Sequence, residues 1–228
     1  AATSKETEAD TIRAAEIAGL TVIGTLAEPH AGAVAYQIDQ FRGKRSILVY
    51  DFGGGTFDVT VLEQHDSEFH TRSINGDRCL GGDDFDNALA QAAAAVIWKD
   101  HGIDVTKDLE RWDRVLRESE NVKRALSARS SAPLRLKSAF TRHGKTHDLA
   151  LNMLRSEIEP RWHPLVQRSI QVTAESLMTA GLRPKNLDLV LLVGGTTYIP
   201  LVQHIVENVL GQKGRVEGDP QTAVACGA

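Results

Sequence analysis

Apolar positions along this chain change their spacing several times, and each change marks an element. Near the start, Ile12, Ala15, Ile17 and Ala18 form a rough helical stripe, and Gly19 is placed to stop that helix. The short β-branched run "LTVIGTLAE" that follows predicts a strand. Pro29 suits the first turn of a second helix over Ala31–Tyr36. Two apolar runs, Ser46–Asp51 and Phe57–Glu63, read as strands joined by three glycines, and "FHTRSING" reads as a third strand ending in a turn.

From Gly81 the pattern becomes helical. "GGDDFDNALAQAAAAVIWKDHGID" predicts a helix with aspartates at its start, where they complement the helix dipole. "LERWDRVLRESENVKRALSA" predicts a second helix, and "APLRLKSAF" and "KTHDLALNM" predict two strands, so this stretch reads as a compact α+β insert. "LRSEIEPRWHPLVQRSIQVTAESLMTAGL" predicts a long helix broken near Pro160 and Pro164. "LDLVLLVGGTTYIPLVQHIVENVLG" reads as buried strand, glycine turn and helix. "GDPQTAVACGA" stops inside what reads as one more helix; both ends fall within an architecture, so a fragment is expected.

Composition narrows the class. The 228 residues are 42% hydrophobic and 25% charged, which suits one large or two small soluble domains. A net charge of -4 gives no reason to expect nucleic-acid binding. Cys79 and Cys226 lie far apart without metal-site spacing, so reduced thiols are expected. No apolar run reaches the roughly 18 to 20 residues that span a bilayer, and the polar, acidic opening "AATSKETEAD" is unlike a signal peptide. The expectation is a soluble, intracellular protein with no membrane partner.

Two glycine turns are the candidate chemistry. In "DFGGGTFD", residues without Cβ let backbone N–H groups approach an anion closely, and the Thr56 hydroxyl could join them. Asp51 and Asp58 would flank the turn, within reach of a Mg²⁺ ion directly or through its waters. Taken alone, the three glycines fit a plain hairpin better. "LLVGGTTYIP" also runs from strand into a glycine pair, then to a helix whose N-terminus suits an anion or a ribose; an ordinary βα turn explains it equally well. Two such turns about 140 residues apart are compatible with halves of a nucleotide cleft. His143 and His147 in "HGKTH" have a spacing that binds zinc on a helix, but Gly144 and the strand-like flanks favour a hairpin turn. Trp98, Trp112 and Trp162 read as packing residues.

The phrases "EPHAGAVAY", "ILVYDFGGGTFDVTVLE", "INGDRCLGGDDFDNAL", "ESENVKRALS", "LVLLVGGTTYIP" and "DPQTAVACGA" together resemble the heat shock protein 70 (DnaK-type) chaperone family, in order and in spacing, over nearly the whole chain. What they resemble is the second lobe of that family's nucleotide-binding domain. The resemblance implies an α/β class and an actin-like, ribonuclease-H-like lobe. Its core would comprise residues 1–80 and 158–228, with a small α+β subdomain inserted at 81–157.

It also implies cofactors, roles and partners. ATP or ADP with Mg²⁺ would be bound. Gly53, Gly54, Gly55 and Thr56 match a phosphate loop, Asp51 and Asp58 match Mg²⁺-associated acids acting through water, and Glu28 matches an acid near the γ-phosphate. Pro29 matches a proline that relays nucleotide state. Gly81, Gly82 and Asp83 would border the phosphates. Glu120, Lys123, Arg124 and Ser127 match a helix face holding adenine and ribose; their i, i+3, i+4, i+7 spacing does put them on one face. Without the resemblance, a solvated face with a Glu120–Arg124 pair is the better reading. Gly194, Gly195 and Thr196 match an adenosine motif. In the parent, a peptide-binding domain, a J-domain co-chaperone and a nucleotide exchange factor would be the partners, in protein folding and stress response in the cytoplasm.

The chain also departs from the family. Tyr198 stands where an arginine that stacks on adenine is usual, although a tyrosine ring also stacks. His30 replaces a threonine, and Gln221 an acid. A first lobe, with another phosphate loop, a catalytic lysine and a third Mg²⁺-associated aspartate, is not in this sequence. The chain alone is therefore expected to hydrolyse ATP poorly or not at all. The alternatives are a docking module of the same fold with decayed nucleotide binding, and another actin-like enzyme such as a sugar kinase, against which "LGGDDFD" and "EPHAGAVAY" argue.

Overall fold

The computed structural model describes residues 5–35, 43–66, 68–142, 145–216 and Ala225. Tyr36, His143, Gly144, Gln221, Cys226 and nearly all of the closing "GDPQTAVACGA" lie outside them. The elements run α1 (Lys5–Ile17), α2 (Glu28–Ala35), β1 (Lys44–Phe52), β2 (Phe57–His65), β3 (Glu68–Asp77), α3 (Gly82–His101), α4 (Leu109–Ala128), β4 (Ser131–Arg142), β5 (Lys145–Leu154), α5 (Arg155–Thr179), β6 (Leu189–Val193) and α6 (Pro200–Leu210). One four-stranded sheet has the order β3-β2-β1-β6. Within it β1, β2 and β3 form an antiparallel meander, while β6 returns parallel to β1 after the helices. β4 and β5 pair only with each other.

Strand β1 is central, and its near-continuous apolar run follows from burial on both faces. Ile47 and Val49 point to a small core with Ala33 of α2, Leu62, Leu191 and Val193. Leu48, Tyr50 and Phe52 point to the large core shared with α3, α5 and α6. There the Tyr50 hydroxyl lies 2.5 Å from Ser169 Oγ, and burial raises its pKa. Phe85 of α3 sits edge-on to Phe52 and against Trp162 of α5, whose Nε1–H donates to Phe85 O at 3.0 Å. This aromatic chain fixes α3 against the sheet, and so places the α3 N-terminus beside the end of β1.

Four expectations need correction. "LTVIGTLAE" is not a strand: residues 20–27 have no regular structure, and Leu20, Ile23 and Leu26 are exposed. β-branched residues favour a strand only where a neighbouring strand accepts the ladder, and none of the described strands lies beside this one. The second helix begins at Glu28, which puts Pro29 in its first turn, rather than at Ala31. Helix α5 runs unbroken through Pro160 and Pro164. Both prolines are on its exposed face, where water can satisfy the carbonyls that lose a donor, while Ile158, Trp162, Val166 and Ile170 hold the opposite face in the core.

The fourth correction concerns the tryptophans. Trp162 is buried and Trp112 half-buried, but Trp98 is 59% exposed on the last turns of α3. Trp98→Ala is therefore expected to shift stability by no more than about 0.5 kcal/mol, as read from the urea midpoint. As for the histidine pair, His147 lies on strand β5 and stacks on Phe140 at 5.2 Å, which removes the helical zinc geometry. Among the described residues no helix is long and apolar enough to cross a membrane.

Candidate functional site

Three glycine-containing loops converge at one end of the sheet. The first is the β1–β2 turn, where Asp51 pairs with Asp58 and Phe52 with Phe57, and the Gly53 N–H closes on Thr56 O at 3.0 Å. The second leads into α3: the N–H groups of Gly82 and Asp83 donate to Gly53 O and Gly54 O at 3.0 and 2.8 Å. The third follows β6, where the Thr196 hydroxyl donates to Gly53 O at 2.8 Å. A Cβ on Gly81 would lie 2.3 Å from Gly54 O, so this packing requires a glycine there.

These bonds revise which amides remain available. Those of Gly53, Gly82 and Asp83 serve to hold the loops together, whereas the N–H groups of Gly54 and Gly55 have no partner among the described residues. Gly81 and Gly82 lie buried behind the turn, and Asp83 alone of that trio lines the cleft. Gly194–Gly195 does not open directly into a helix either. It leads into one 3₁₀ turn over Gly195–Tyr198, and α6 begins only at Pro200, so the glycine pair is not itself the N-terminus of α6.

The loops enclose an open cleft of about 420 Å³ that is acidic at one end. Glu28, at the start of α2, and Asp51, at the end of β1, both line it. Burial first, then the nearby Glu28 charge, pushes the Asp51 carboxyl up to about 6. Asp58 is displaced from this cleft; it lines a smaller adjoining recess with Glu28 and Asp51, its Oδ1 lying where a Cβ on Gly76 would fall, 2.6 Å away. His30 borders the same recess, 6.1 Å from the Phe69 ring, and burial lowers its pKa. Its Nε2 has no partner among the described residues. No three acids, histidines or cysteines among the described residues stand close enough to ligate one metal directly. Oxygen donors that crowd together, with the Glu28 charge helping to raise the Asp51 pKa, suit a Mg²⁺ ion that keeps its own waters, so the residues fit such an ion as an outer-sphere site.

The opposite end is formed by α4. Glu120, Lys123 and Arg124 line the main cleft, and Lys123, Arg124 and Ser127 continue into a second hollow of about 430 Å³ shared with Gly195, Thr196 and Tyr198. Tyr198 is 39% exposed, so part of its ring surface is open to a ligand. Glu120 and Arg124 form no ion pair with each other among the described residues. Gly53, Gly54, Gly194, Gly195 and Thr196 line the region between the two ends, while Gly55 and Thr56 stay exposed on the outer rim of the turn.

One charged lining residue had no role in the sequence reading. Asp86 lies one turn beyond Asp83 on α3, is buried, and accepts a 2.6 Å bond from Lys123 Nζ on its Oδ2. The i, i+3 acids of "DDFD" were a visible signal that it shares the Asp83 face. Its partnership with a lysine 37 residues away was not.

Comparison with known proteins identifies the family. The family model described as Hsp70 protein matches residues 5–228. This chain belongs to the Hsp70 family. It has that family's actin-like ATPase fold, a nucleotide-binding architecture. A curated relative, the mitochondrial-type heat shock protein 70 of Encephalitozoon cuniculi (strain GB-M1), is 35% identical over 215 residues, covering 94% of this chain. The match covers 36% of that relative's length. The Hsp70 family thus accounts for the mixed α/β fold.

Proposed function

We propose that this chain is a nucleotide-holding lobe of an Hsp70 chaperone and binds Mg·ADP or Mg·ATP across the two hollows. The observation that carries the reading is the position of the glycine turn. Gly54, whose N–H has no partner among the described residues, lines the cleft between an acidic end and an end with a lysine, an arginine and a tyrosine, and Gly55, also unpartnered, follows it on the exposed rim of the turn. That polarity matches a nucleotide: phosphates on backbone N–H groups, a hydrated divalent cation on acids, and a base on flat side chains.

In this reading Gly54 and Gly55, with the Thr56 hydroxyl, hold phosphate oxygens, and Gly53, Gly81 and Gly82 keep the turn in place. Glu28 and Asp51 hold the waters of Mg²⁺, with Asp58 adding charge from its recess. The bound ion would neutralise phosphate charge. Glu120 and Lys123 take the ribose, and Arg124 and Tyr198 take the faces of the base, over a floor of Gly194, Gly195, Thr196 and Ser127. Phosphoryl transfer also needs positive groups around the departing phosphate. Lys123 and Arg124 lie at the base end, and no lysine or arginine lines the acidic end among the described residues. The chain alone therefore binds nucleotide but hydrolyses ATP poorly. A peptide-binding domain, a J-domain co-chaperone and an exchange factor are the partners proposed for the whole protein, in the cytoplasm.

Titration calorimetry with Mg·ADP tests this. One saturable site is expected, and Lys123→Ala with Arg124→Ala should weaken it at least about tenfold, since each charged donor contributes about 1.5–3 kcal/mol. Undiminished binding in that double variant would reject the assignment of the base end.

A further inference from the structure

Lys123 is tied down more firmly than a ligand-seeking lysine needs to be. Its Nζ donates to Gly82 O at 2.9 Å and to Asp86 Oδ2 at 2.6 Å, both on the first turns of α3. The two side chains are 13% and 10% exposed, so the pair is nearly sealed. The second oxygen of Asp86, Oδ1, is buried with no partner among the described residues. An isolated carboxylate in that position would be costly, and burial indeed raises its pKa. The Lys123 bond opposes that rise, while the charges of Glu120 and Asp83 add to it. Three acids, Asp83, Asp86 and Glu120, thus stand around two cations, Lys123 and Arg124, at this end of the cleft.

We propose that Asp86 is the positioning residue for Lys123: it clamps the ammonium to α3 and cancels its charge, so that Lys123 meets the ligand as a fixed hydrogen-bond donor suited to a sugar hydroxyl and not as a charge for phosphate. The inference rests on the nucleotide reading of the site. An ammonium has three donors, and two of them are committed to α3. The remaining one belongs to a side chain that lines both hollows. A neutralised pair with one spare donor discriminates by geometry, and it adds little attraction for a polyanion.

The test compares adenosine with Mg·ADP on the wild-type chain and on Asp86→Asn at two salt concentrations. The variant removes the cancelling charge but keeps the side chain's shape. Adenosine binding should weaken about tenfold, as one charge-assisted hydrogen bond is lost. Mg·ADP should lose much less, because the uncovered lysine now attracts phosphate, and its affinity should fall more steeply with salt. A purely structural role would weaken both ligands alike with unchanged salt dependence, and that result overturns the inference while leaving the nucleotide reading intact. Absence of wild-type binding to either ligand would sink the nucleotide reading instead. The clamp then stands or falls on the Lys123 ammonium in ¹⁵N spectra of the wild-type chain. That measurement also decides the matter if Asp86→Asn fails to fold. A slowly exchanging signal supports the clamp, and a rapidly exchanging one overturns it.

Discussion

Gly194→Ala is expected to destabilise this chain by about 4 kcal/mol, the sum of a strained backbone and a forced clash. Gly194 has φ 84° and ψ 148°, a combination that residues with a Cβ scarcely adopt. The added methyl would lie 2.4 Å from Phe52 O and 2.7 Å from Asp51 Oδ1, so relief requires moving the end of β1. In a chain of this size the midpoint should fall by about 10 °C in a thermal scan. Nucleotide binding should fall as well, because the strained residue is packed against the carboxylate that faces the cleft. Gly54→Ala is the matched control: nothing lies within 4 Å of its Cβ, and stability should change by about 0.5 kcal/mol or less. A Gly194→Ala midpoint within about 2 °C of wild type would show that the loops are not locked together as described.

Asp51→Asn should have the opposite sign. The folded-state pKa of Asp51 is raised to about 6 from an ordinary 3.8, by burial and then by Glu28. Between those two values the folded chain holds a proton that the unfolded chain has released, so this group's contribution to stability falls as pH rises. The penalty is fully present above about pH 6 and vanishes below the ordinary pKa. An asparagine has no such penalty, so the variant should be more stable at pH 7.5 by about 2 kcal/mol, with the gain lost near pH 4. The same substitution should reduce the Mg²⁺ dependence of nucleotide binding, a trade of function against stability that charged sites commonly make. Urea midpoints across pH check the sign. A variant that is less stable than wild type at pH 7.5 would contradict the raised pKa.

Much of the fold was legible because its signals are local. The β1–β2 turn announces itself with three glycines between alternating apolar runs, and α4 with a regular stripe that leaves Glu120, Lys123, Arg124 and Ser127 on one face. What escaped depends on neighbours. Residues 20–27 have strand composition but no strand beside them in the described sheet. Pro160 and Pro164 break an isolated helix, yet α5 is held by the face they do not occupy. Trp98 has the composition of a core residue and the position of a surface one.

The candidate site divides in the same way. Glycines at 53–55, 81–82 and 194–195 stand out in sequence, but which amides they leave free follows only from how the three loops bond to one another. Asp58 pairs with Asp51 across the turn and shares the smaller recess with it, yet it does not line the main cleft, because β2 lies one strand farther than β1 from β6, whose glycine loop lines that cleft. The Asp86–Lys123 bond joins α3 to α4 across 37 residues and has no local signature at all.

The most direct measurement of the central claim is backbone amide shift mapping of the chain during a titration with Mg·ADP. The largest changes are expected at Gly54 and Gly55, at Gly194–Thr196, and along Glu120–Ser127. The apolar groove between α5 and α6, lined by Leu177, Leu182 and Val209, should stay unchanged. Shifts centred on that groove, or none at Gly54 and Gly55 at saturation, would contradict a nucleotide gripped by the glycine turn.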